Sequence, residues 1–304
     1  MKNINVVCTS KPGDGLLKYS YEHSSYLRQL GFQSQLIIIT HPDFREIDYI
    51  KSIGEKYIHN EFVFFDDKNM DNWYPYRKES VTLIMGRSML TLPYLKRDEY
   101  KHSQLLTLSV LFGNNLISVY SENHPKDYPI ALKYFNPKKV VDLCDYDVYP
   151  NGVGLQFQKI INFDIYKPFK NDIKYEYLFL GTNKEYYKNI EDFISKNPSK
   201  YQSYGIVAYS GHKYINPKLN NINVPVENLL GSFETYCYVK STFDPAPRLM
   251  QEFRYFDKKV LYLRDKNIID GGSVYWNRPI PTRESYFKNF QVLVDVLENQ
   301  FNFN

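Results

Sequence analysis

The chain has 304 residues, which suggests two domains because a domain usually contains about 100–200 residues. It is 43% hydrophobic and 24% charged, and its 29 Tyr and 20 Phe bury too much surface for a disordered chain. The net charge of +4, from 38 basic and 34 acidic residues, permits a nucleic-acid partner without requiring one.

Three widely spaced cysteines, Cys8, Cys144 and Cys237, argue against both a disulfide framework and a zinc site. The apolar part of residues 1–8 is too short for a signal peptide. No apolar run approaches the ~18 residues that a membrane-spanning helix needs. We therefore expect a cytoplasmic protein with no membrane span.

Strand and helix signals alternate along the first half of the chain. Short apolar runs predict strands at 4–8, 35–40, 61–65, 81–85, 116–120 and 138–143. Apolar residues at helical spacing predict one helix at 16–30, stopped by Gly31, and another at 94–112. This alternation indicates a parallel sheet covered by helices on both faces.

The same alternation restarts after a charged stretch at 170–174. Strands are predicted at 175–180, 203–209, 235–239 and 259–263. Helices are predicted at 189–196, 226–230, 247–256 and 284–301. The glycines and aromatic residues of 271–276 predict a flexible loop that covers a ligand or contacts a base, or else a plain surface loop.

These patterns predict the α/β class, with two Rossmann-like domains that face each other across a cleft. The first covers residues 1–167 and the second residues 168–304, with the last helix packing back on the first domain. In such sheets ligands bind at the carboxyl ends of the strands.

The most informative segment contains Asp244 and Glu252, which flank the start of the helix predicted at 247–256. One carboxylate lies in the loop before the helix and the other about two turns along it, so the two can hold separate hydroxyls of one long ligand. Free N–H groups at the helix start attract phosphate, and Arg248 in the first turn is a candidate phosphate clamp. The alternatives are an N-cap role for Asp244, an exposed helix acid for Glu252 and a surface ion pair for Arg248.

This segment resembles the Glu-x7-Glu motif of the GT-B glycosyltransferases, which use nucleotide-diphosphate sugars. The resemblance implies that Glu252 binds the ribose hydroxyls of the donor. It also implies that Asp244, in the place of the family's first glutamate, approaches the donor sugar with a shorter reach.

Further segments resemble the same family in chain order. Residues 177–180 with Gly181, Lys184 and Lys188 resemble the opening of the family's second domain, where basic residues hold the diphosphate. The family usually has Arg directly after this glycine and the present chain does not, so the resemblance gives that role to Lys184 or Lys188. Residues 161–168 resemble the family's interdomain linker, and residues 224–230 resemble the segment before its base-binding region.

Gly13, Asp14 and Gly15 follow the first predicted strand and resemble the family's glycine-containing first loop. Glycine lets the backbone approach a ligand closely, although a plain turn explains the same residues. Asp14 is a candidate contact to the acceptor. Glu122 and His124 follow another strand and can position the donor sugar or accept a proton, or simply bond to the loop backbone.

Three aspartates, Asp142, Asp145 and Asp147, have the composition of a metal site but straddle a strand end. The GT-B resemblance implies a donor site without an essential metal. We therefore predict no metal site, and a structural or interdomain role for these carboxylates.

The resemblance implies a glycosyltransferase that takes its sugar from a UDP-sugar, its donor substrate and only implied cofactor. The motif favours retention at the anomeric carbon, which needs no dedicated general base. Inversion needs one, and Asp14, Glu122 and His124 are then the catalytic candidates.

Residues 13–22 also resemble the start of bacteriophage α-glucosyltransferases that act on hydroxymethylcytosine in DNA. The excess of residues with AT-rich codons, and the presence of three alanines in all, are typical of many phages and of AT-rich bacteria. The predicted acceptor is therefore 5-hydroxymethylcytosine or a related base in double-stranded DNA, reached by base flipping in the host cytoplasm. Synthesis of a bacterial surface glycan and a non-catalytic sugar-nucleotide-binding role remain alternatives.

Overall fold

The computed structural model describes residues 3–9, 15–40, 60–64, 80–85, 115–119, 138–152, 154–161, 172–180, 187–196, 204–207, 220–222, 229–239, 247–263 and 271–303. The chain divides into two compact units. The first contains Met1–Lys159 together with Phe287–Asn304, and the second contains Ile160–Tyr286. The division thus falls before residue 167, and the end of the chain belongs to the first unit.

In the first unit the described strands form a seven-stranded parallel sheet in the order β3-β2-β1-β4-β5-β6-β7. Its strands are β1 (Asn3–Thr9), β2 (Gln33–Thr40), β3 (Asn60–Phe64), β4 (Val81–Met85), β5 (Asn115–Val119), β6 (Lys139–Cys144) and β7 (Leu155–Gln156). All five residues of β4 are buried, as expected of a strand covered on both faces. The sequence predicted the first six strands but not the two-residue β7.

Helix α1 (Gly15–Gln29) follows β1 and packs on this sheet. It ends where the sequence predicted, because Gly31 takes up a φ of +91° that other residues avoid. The N–H of Gly31 donates to the carbonyl of Arg28, and that of Phe32 to the carbonyl of Leu27, both at 3.0 Å. This pair of bonds satisfies carbonyls that the helix end would otherwise leave open.

In the second unit five described strands form another parallel sheet, in the order β10-β9-β8-β11-β12. The strands are β8 (Tyr175–Leu180), β9 (Tyr204–Val207), β10 (Asn220–Ile222), β11 (Phe233–Tyr238) and β12 (Lys259–Tyr262). The helices are α2 (Tyr187–Ser195), α3 (Arg248–Tyr255) and α4 (Gly271–Asn277). The predicted α/β class with parallel sheets is confirmed. The predicted helix at 94–112 and most of the one at 226–230 lie outside the described residues.

The prediction of a flexible loop at 271–276 is wrong, because these residues form α4. Tyr275 is 1% exposed and its carbonyl accepts a hydrogen bond from Arg254 at 2.6 Å. The N–H of Arg278 continues the helical pattern by donating to the carbonyl of Val274. Packing of the aromatic side chain therefore overrides the low helix propensity of the two glycines that begin the segment.

The last helix, α5 (Arg283–Phe301), brings aromatic side chains into the core of the first unit. The ring of Phe290, 1% exposed, lies 4.7 Å from the ring of Tyr26 and 5.2 Å from that of His23. Asn289 exchanges hydrogen bonds of 2.8 and 2.7 Å with the backbone of Gln158. None of the helices that the structure describes is both long enough and apolar enough to cross a membrane.

Two glycines with positive φ allow a test of backbone constraint. A Cβ at Gly154, where φ is +103°, would lie 2.1 Å from the carbonyl oxygen of Asp142, whereas one at Gly31 would meet nothing within 4 Å. We expect Gly31→Ala to lower the free energy of unfolding by about 1–2 kcal/mol, the cost of the left-handed conformation alone. Gly154→Ala should cost clearly more, because backbone must also move, and urea denaturation measures both. Equal losses for the two variants would contradict the contact at Asp142.

Candidate functional site

The sheet of the second unit reverses its strand order between β8 and β11. At such a point the connections leave towards opposite faces of a parallel sheet, and ligands bind at the carboxyl ends of the two strands. Phe179 pairs with Cys237, so Leu180 and Tyr238, the last residues of the two strands, lie about 5 Å apart. The two segments predicted to bind the donor are the ones that follow these strands in the chain.

After β8 come Gly181 and Lys184, which lie outside the described residues. Lys188 is in the first turn of α2, although its side chain is not described. Helix α2 is fixed to the sheet by the buried Ile190 and Ile194. The side-chain amide of Asn189 donates to the carbonyl of Val239 at 3.0 Å, so the start of α2 is bonded to the residue that follows β11.

After β11 comes Asp244, also outside the described residues, and then α3 with Arg248 and Glu252. Phe253 anchors this helix to the sheet, because its ring lies 4.9 Å from that of Phe233 and 4.8 Å from that of Tyr236. The position and rotation of α3 are therefore set by packing against β11.

Arg248 and Glu252 form an ion pair on one face of α3, and Nε of Arg248 donates to Oε1 of Glu252. Their spacing of four residues makes them neighbours on the helix surface. Arg248 is 8% exposed and Glu252 3% exposed. The two alternatives of an exposed acid and of a surface ion pair are therefore wrong, because these charges are buried. Little solvent screens such a pair, and each charge depends on the other.

Two further basic residues, Arg254 in the last turn of α3 and Lys258 just after that helix, both donate to backbone carbonyls. Arg254 donates to Tyr275 and so bonds α3 to α4, and burial lowers the pKa of its guanidinium. Lys258 donates to the carbonyl of Phe233 at 3.0 Å, and its Nζ lies 5.4 Å from the centre of the Phe233 ring. Burial lowers the pKa of Lys258, and the negative charge of Glu234 partly opposes that shift.

Three aromatic rings, two at the carboxyl ends of β11 and β12 and one on α4, stack on one another. Tyr238 and Tyr262 are register partners whose rings lie 5.5 Å apart with a 10° interplanar angle. Trp276 of α4 stacks on Tyr262 at 5.8 Å and 25°. The sequence singled out Trp276 but missed the two tyrosines, because it does not show that they end neighbouring strands in register.

In the first unit the strand order reverses between β1 and β4. The chain leaves β1 towards Gly13 and Asp14, which lie outside the described residues, and Gly15 is the first residue of α1. Glu122 and His124 follow β5, which pairs with β4, and they also lie outside the described residues. The proposed acceptor-side residues therefore stay predictions.

Of the three aspartates, Asp142 lies in β6, and Asp145 and Asp147 lie in the turn that follows this strand. Asp147 accepts a hydrogen bond from the side chain of Gln158 at 3.1 Å, and the backbone carbonyl of Asp145 closes the turn by accepting from Val148 and Tyr149. Burial, reinforced by the charges of Asp145 and Asp142, raises the pKa of Cys144 to about 11. Within the described parts of the chain no three acidic, histidine or cysteine side chains are grouped as a metal site would require.

No protein-family model matches the chain, and no curated protein matches it either. The solved structures do show similarity in fold. The Anabaena protein Alr3699/HepE in complex with UDP and glucose is 10% identical with a TM-score of 0.60, over 99% of this chain and 91% of that one. An alpha-glucosyltransferase in complex with UDP and a 13-mer DNA containing a HMU base is 8% identical with a TM-score of 0.55, over 97% and 90%.

A third similar structure, described as a candidate UDP-N-acetylglucosamine 2-epimerase from Listeria monocytogenes, has 8% identity and a TM-score of 0.54 over 100% of this chain and 97% of that one. At sequence identities this low, structural similarity establishes the fold but not the activity. The chain therefore has an α/β fold of the GT-B type, as the sequence motifs predicted.

Breaking the buried ion pair tests its contribution to stability. Arg248→Met leaves the Glu252 carboxylate buried without its cation, so we expect the free energy of unfolding to fall by about 3–5 kcal/mol. The double variant Arg248→Met/Glu252→Gln removes both charges and should recover much of that loss. Urea denaturation of the original protein, of the single variants Arg248→Met and Glu252→Gln, and of the double variant measures these changes. Additive losses from the two substitutions would contradict direct coupling of these side chains.

Proposed function

We propose that this protein is a glycosyltransferase that moves a sugar from a UDP-sugar to an acceptor hydroxyl, and that its second unit binds the donor. The observation that carries the proposal is the buried Arg248–Glu252 pair on the helix that follows β11, at the reversal of strand order. Both predicted donor-binding segments follow the two strands at that reversal. The fold shared with Alr3699/HepE, whose structure holds UDP and glucose, supports the choice of donor.

In this proposal Glu252 accepts hydrogen bonds from the ribose hydroxyls and Asp244 approaches the sugar. The diphosphate is held by Lys184 and Lys188, because Arg248 is already engaged with Glu252. These lysines, with the N–H groups of a helix start, stabilise the charge that develops on the departing diphosphate. No side chain in this scheme requires a metal ion.

The reaction proceeds with retention at the anomeric carbon. The bond from that carbon to the diphosphate oxygen breaks through a transition state with oxocarbenium character, and the acceptor oxygen bonds on the same face. The acceptor proton passes to the departing diphosphate, so no protein base is needed. For inversion the base would be Asp14, Glu122 or His124, one of which would have to lie within hydrogen-bond distance of the acceptor hydroxyl.

The acceptor that we propose is a hydroxymethylated pyrimidine in double-stranded DNA. The alpha-glucosyltransferase with the same fold, whose structure contains DNA with a HMU base, supports it, as does the resemblance of residues 13–22 to phage enzymes. The modified base must leave the helical stack before its hydroxyl can react. A net charge of +4 is compatible with DNA binding but does not carry the proposal.

A transfer assay tests both the reaction and the acceptor. UDP-glucose, UDP-N-acetylglucosamine and GDP-sugars are offered with hydroxymethylcytosine DNA or with unmodified DNA, and the nucleosides are analysed by mass spectrometry. We expect a mass gain of one hexose on the modified nucleoside with a UDP-sugar, and none on unmodified cytosine. Digestion with glucosidases specific for α or β linkages then gives the stereochemistry.

The fate of the donor alone separates the other outcomes. If UDP is released but the modified DNA gains no mass, the protein is still a glycosyltransferase. Its acceptor is then a glycan and not DNA. An epimerised sugar would show that the protein is an epimerase and not a glycosyltransferase. Donor binding without turnover would indicate a non-catalytic binding protein. DNA binding should also weaken steeply with added salt if phosphates are contacted.

The ribose assignment is tested with Glu252→Gln, which keeps the size of the side chain and removes its charge. A hydrogen bond to a charged group contributes about 1.5–3 kcal/mol, so we expect UDP to bind about 10–100-fold more weakly to the variant. Isothermal titration calorimetry measures this loss, and 2′-deoxy-UDP should lose less because it lacks one of the hydroxyls. Equal affinity of the variant and the original protein for UDP would overturn the assignment.

A further inference from the structure

We infer that Arg248 is a positioning residue, which fixes the carboxylate of Glu252 for the nucleotide ribose and does not contact the diphosphate. This inference rests on the proposed function, because it assigns a role within the donor site proposed above. The sequence suggested a phosphate clamp for Arg248, and the side chain's partner in the structure points to a different task.

The first reason is that Arg248 bonds directly to the carboxylate that it would position. Nε of Arg248 donates to Oε1 of Glu252, and both side chains are more than nine-tenths buried. The Nε–H of arginine points along a direction fixed by its planar guanidinium group, so a bond from this atom determines the direction of the carboxylate as well as its charge. A flexible carboxylate would instead lose side-chain freedom when it binds a ligand.

The second reason is the rigidity of the helix that carries both residues. Phe253, the residue after Glu252, packs between the rings of Phe233 and Tyr236 on β11. Arg254 then bonds the same helix to α4 through the carbonyl of Tyr275. Arg248 and Glu252 therefore lie on a helix that the sheet and α4 both hold, as pre-organised binding of a ligand requires.

The third reason is charge compensation. A buried carboxylate is costly without a cation beside it. The basic residues that follow it in the chain, Arg254 and Lys258, donate to the backbone carbonyls of Tyr275 and Phe233. Arg248, whose Nε donates to Oε1 of Glu252, supplies such a cation.

The test compares how strongly the protein distinguishes UDP from 2′-deoxy-UDP. Arg248→Lys keeps the positive charge and loses the planar Nε–H, and Glu252→Gln is the reference for a lost ribose contact. Arg28→Lys is the matched control, because Arg28 lies in the first unit and donates to the carbonyl of Ser34. UDP, 2′-deoxy-UDP and UMP are titrated into each full-length protein by calorimetry. Circular dichroism and thermal melting confirm that each variant is folded.

We expect the original protein and Arg28→Lys to prefer UDP over 2′-deoxy-UDP by about tenfold or more. In Arg248→Lys and in Glu252→Gln the ratio of the two affinities should fall to about one, as expected if both changes disrupt the same ribose contact. A role confined to stabilising the helix would lower the melting temperature and leave the preference unchanged, which would overturn the inference.

Two other outcomes also overturn it, for different reasons. If Arg248→Lys weakens UDP and 2′-deoxy-UDP equally and leaves UMP unaffected, Arg248 contacts the β-phosphate. If Glu252→Gln loses the preference and Arg248→Lys keeps it, the ribose assignment stands and the positioning role fails. If the original protein does not bind UDP, the proposed function itself is wrong. This result differs from the two outcomes above, in both of which the original protein binds UDP.

Discussion

Parallel pairing of buried strands is the constraint on which both units depend. Parallel strands need a crossover between them, and each crossover covers a face of the sheet, so strands such as β4 are buried throughout. The same pairing brings the carboxyl ends of all strands to one edge. In each unit one pair of neighbouring strands, β1 with β4 and β8 with β11, has connections that diverge, and predicted ligand-binding segments follow β1, β8 and β11.

The buried Arg248–Glu252 pair depends on this framework in a specific way. Phe253 packs against the rings of Phe233 and Tyr236 and so fixes the rotation of α3 against β11, and the same helix carries the buried Arg248 and Glu252. A buried ion pair is a weak source of net stability, because desolvation offsets much of the attraction. In the donor site that we propose, the pair instead holds a charged acceptor in one place for the ribose hydroxyls.

The sequence predicted the α/β class, nearly all of the described strands, the helix that ends at Gly31 and the segment containing Arg248 and Glu252. These features are local, because strand runs, helical spacing and a helix-terminating glycine are visible within short windows. It missed β7 and β10, of two and three residues, because such short strands carry too few residues for a pattern. It also assigned a loop to α4, where the buried Tyr275 supplies the stabilising contact.

By itself, the sequence determined the class of fold and the residue types at the candidate donor site, because both follow from the order of residues along the chain. The tertiary structure decided which residues are buried and which distant ones meet. The spacing of four residues already makes Arg248 and Glu252 neighbours on α3, but only the packing of that helix buries both, and only strand register stacks Tyr238 on Tyr262. Burial and register depend on contacts between distant segments, and no local pattern of residues encodes them.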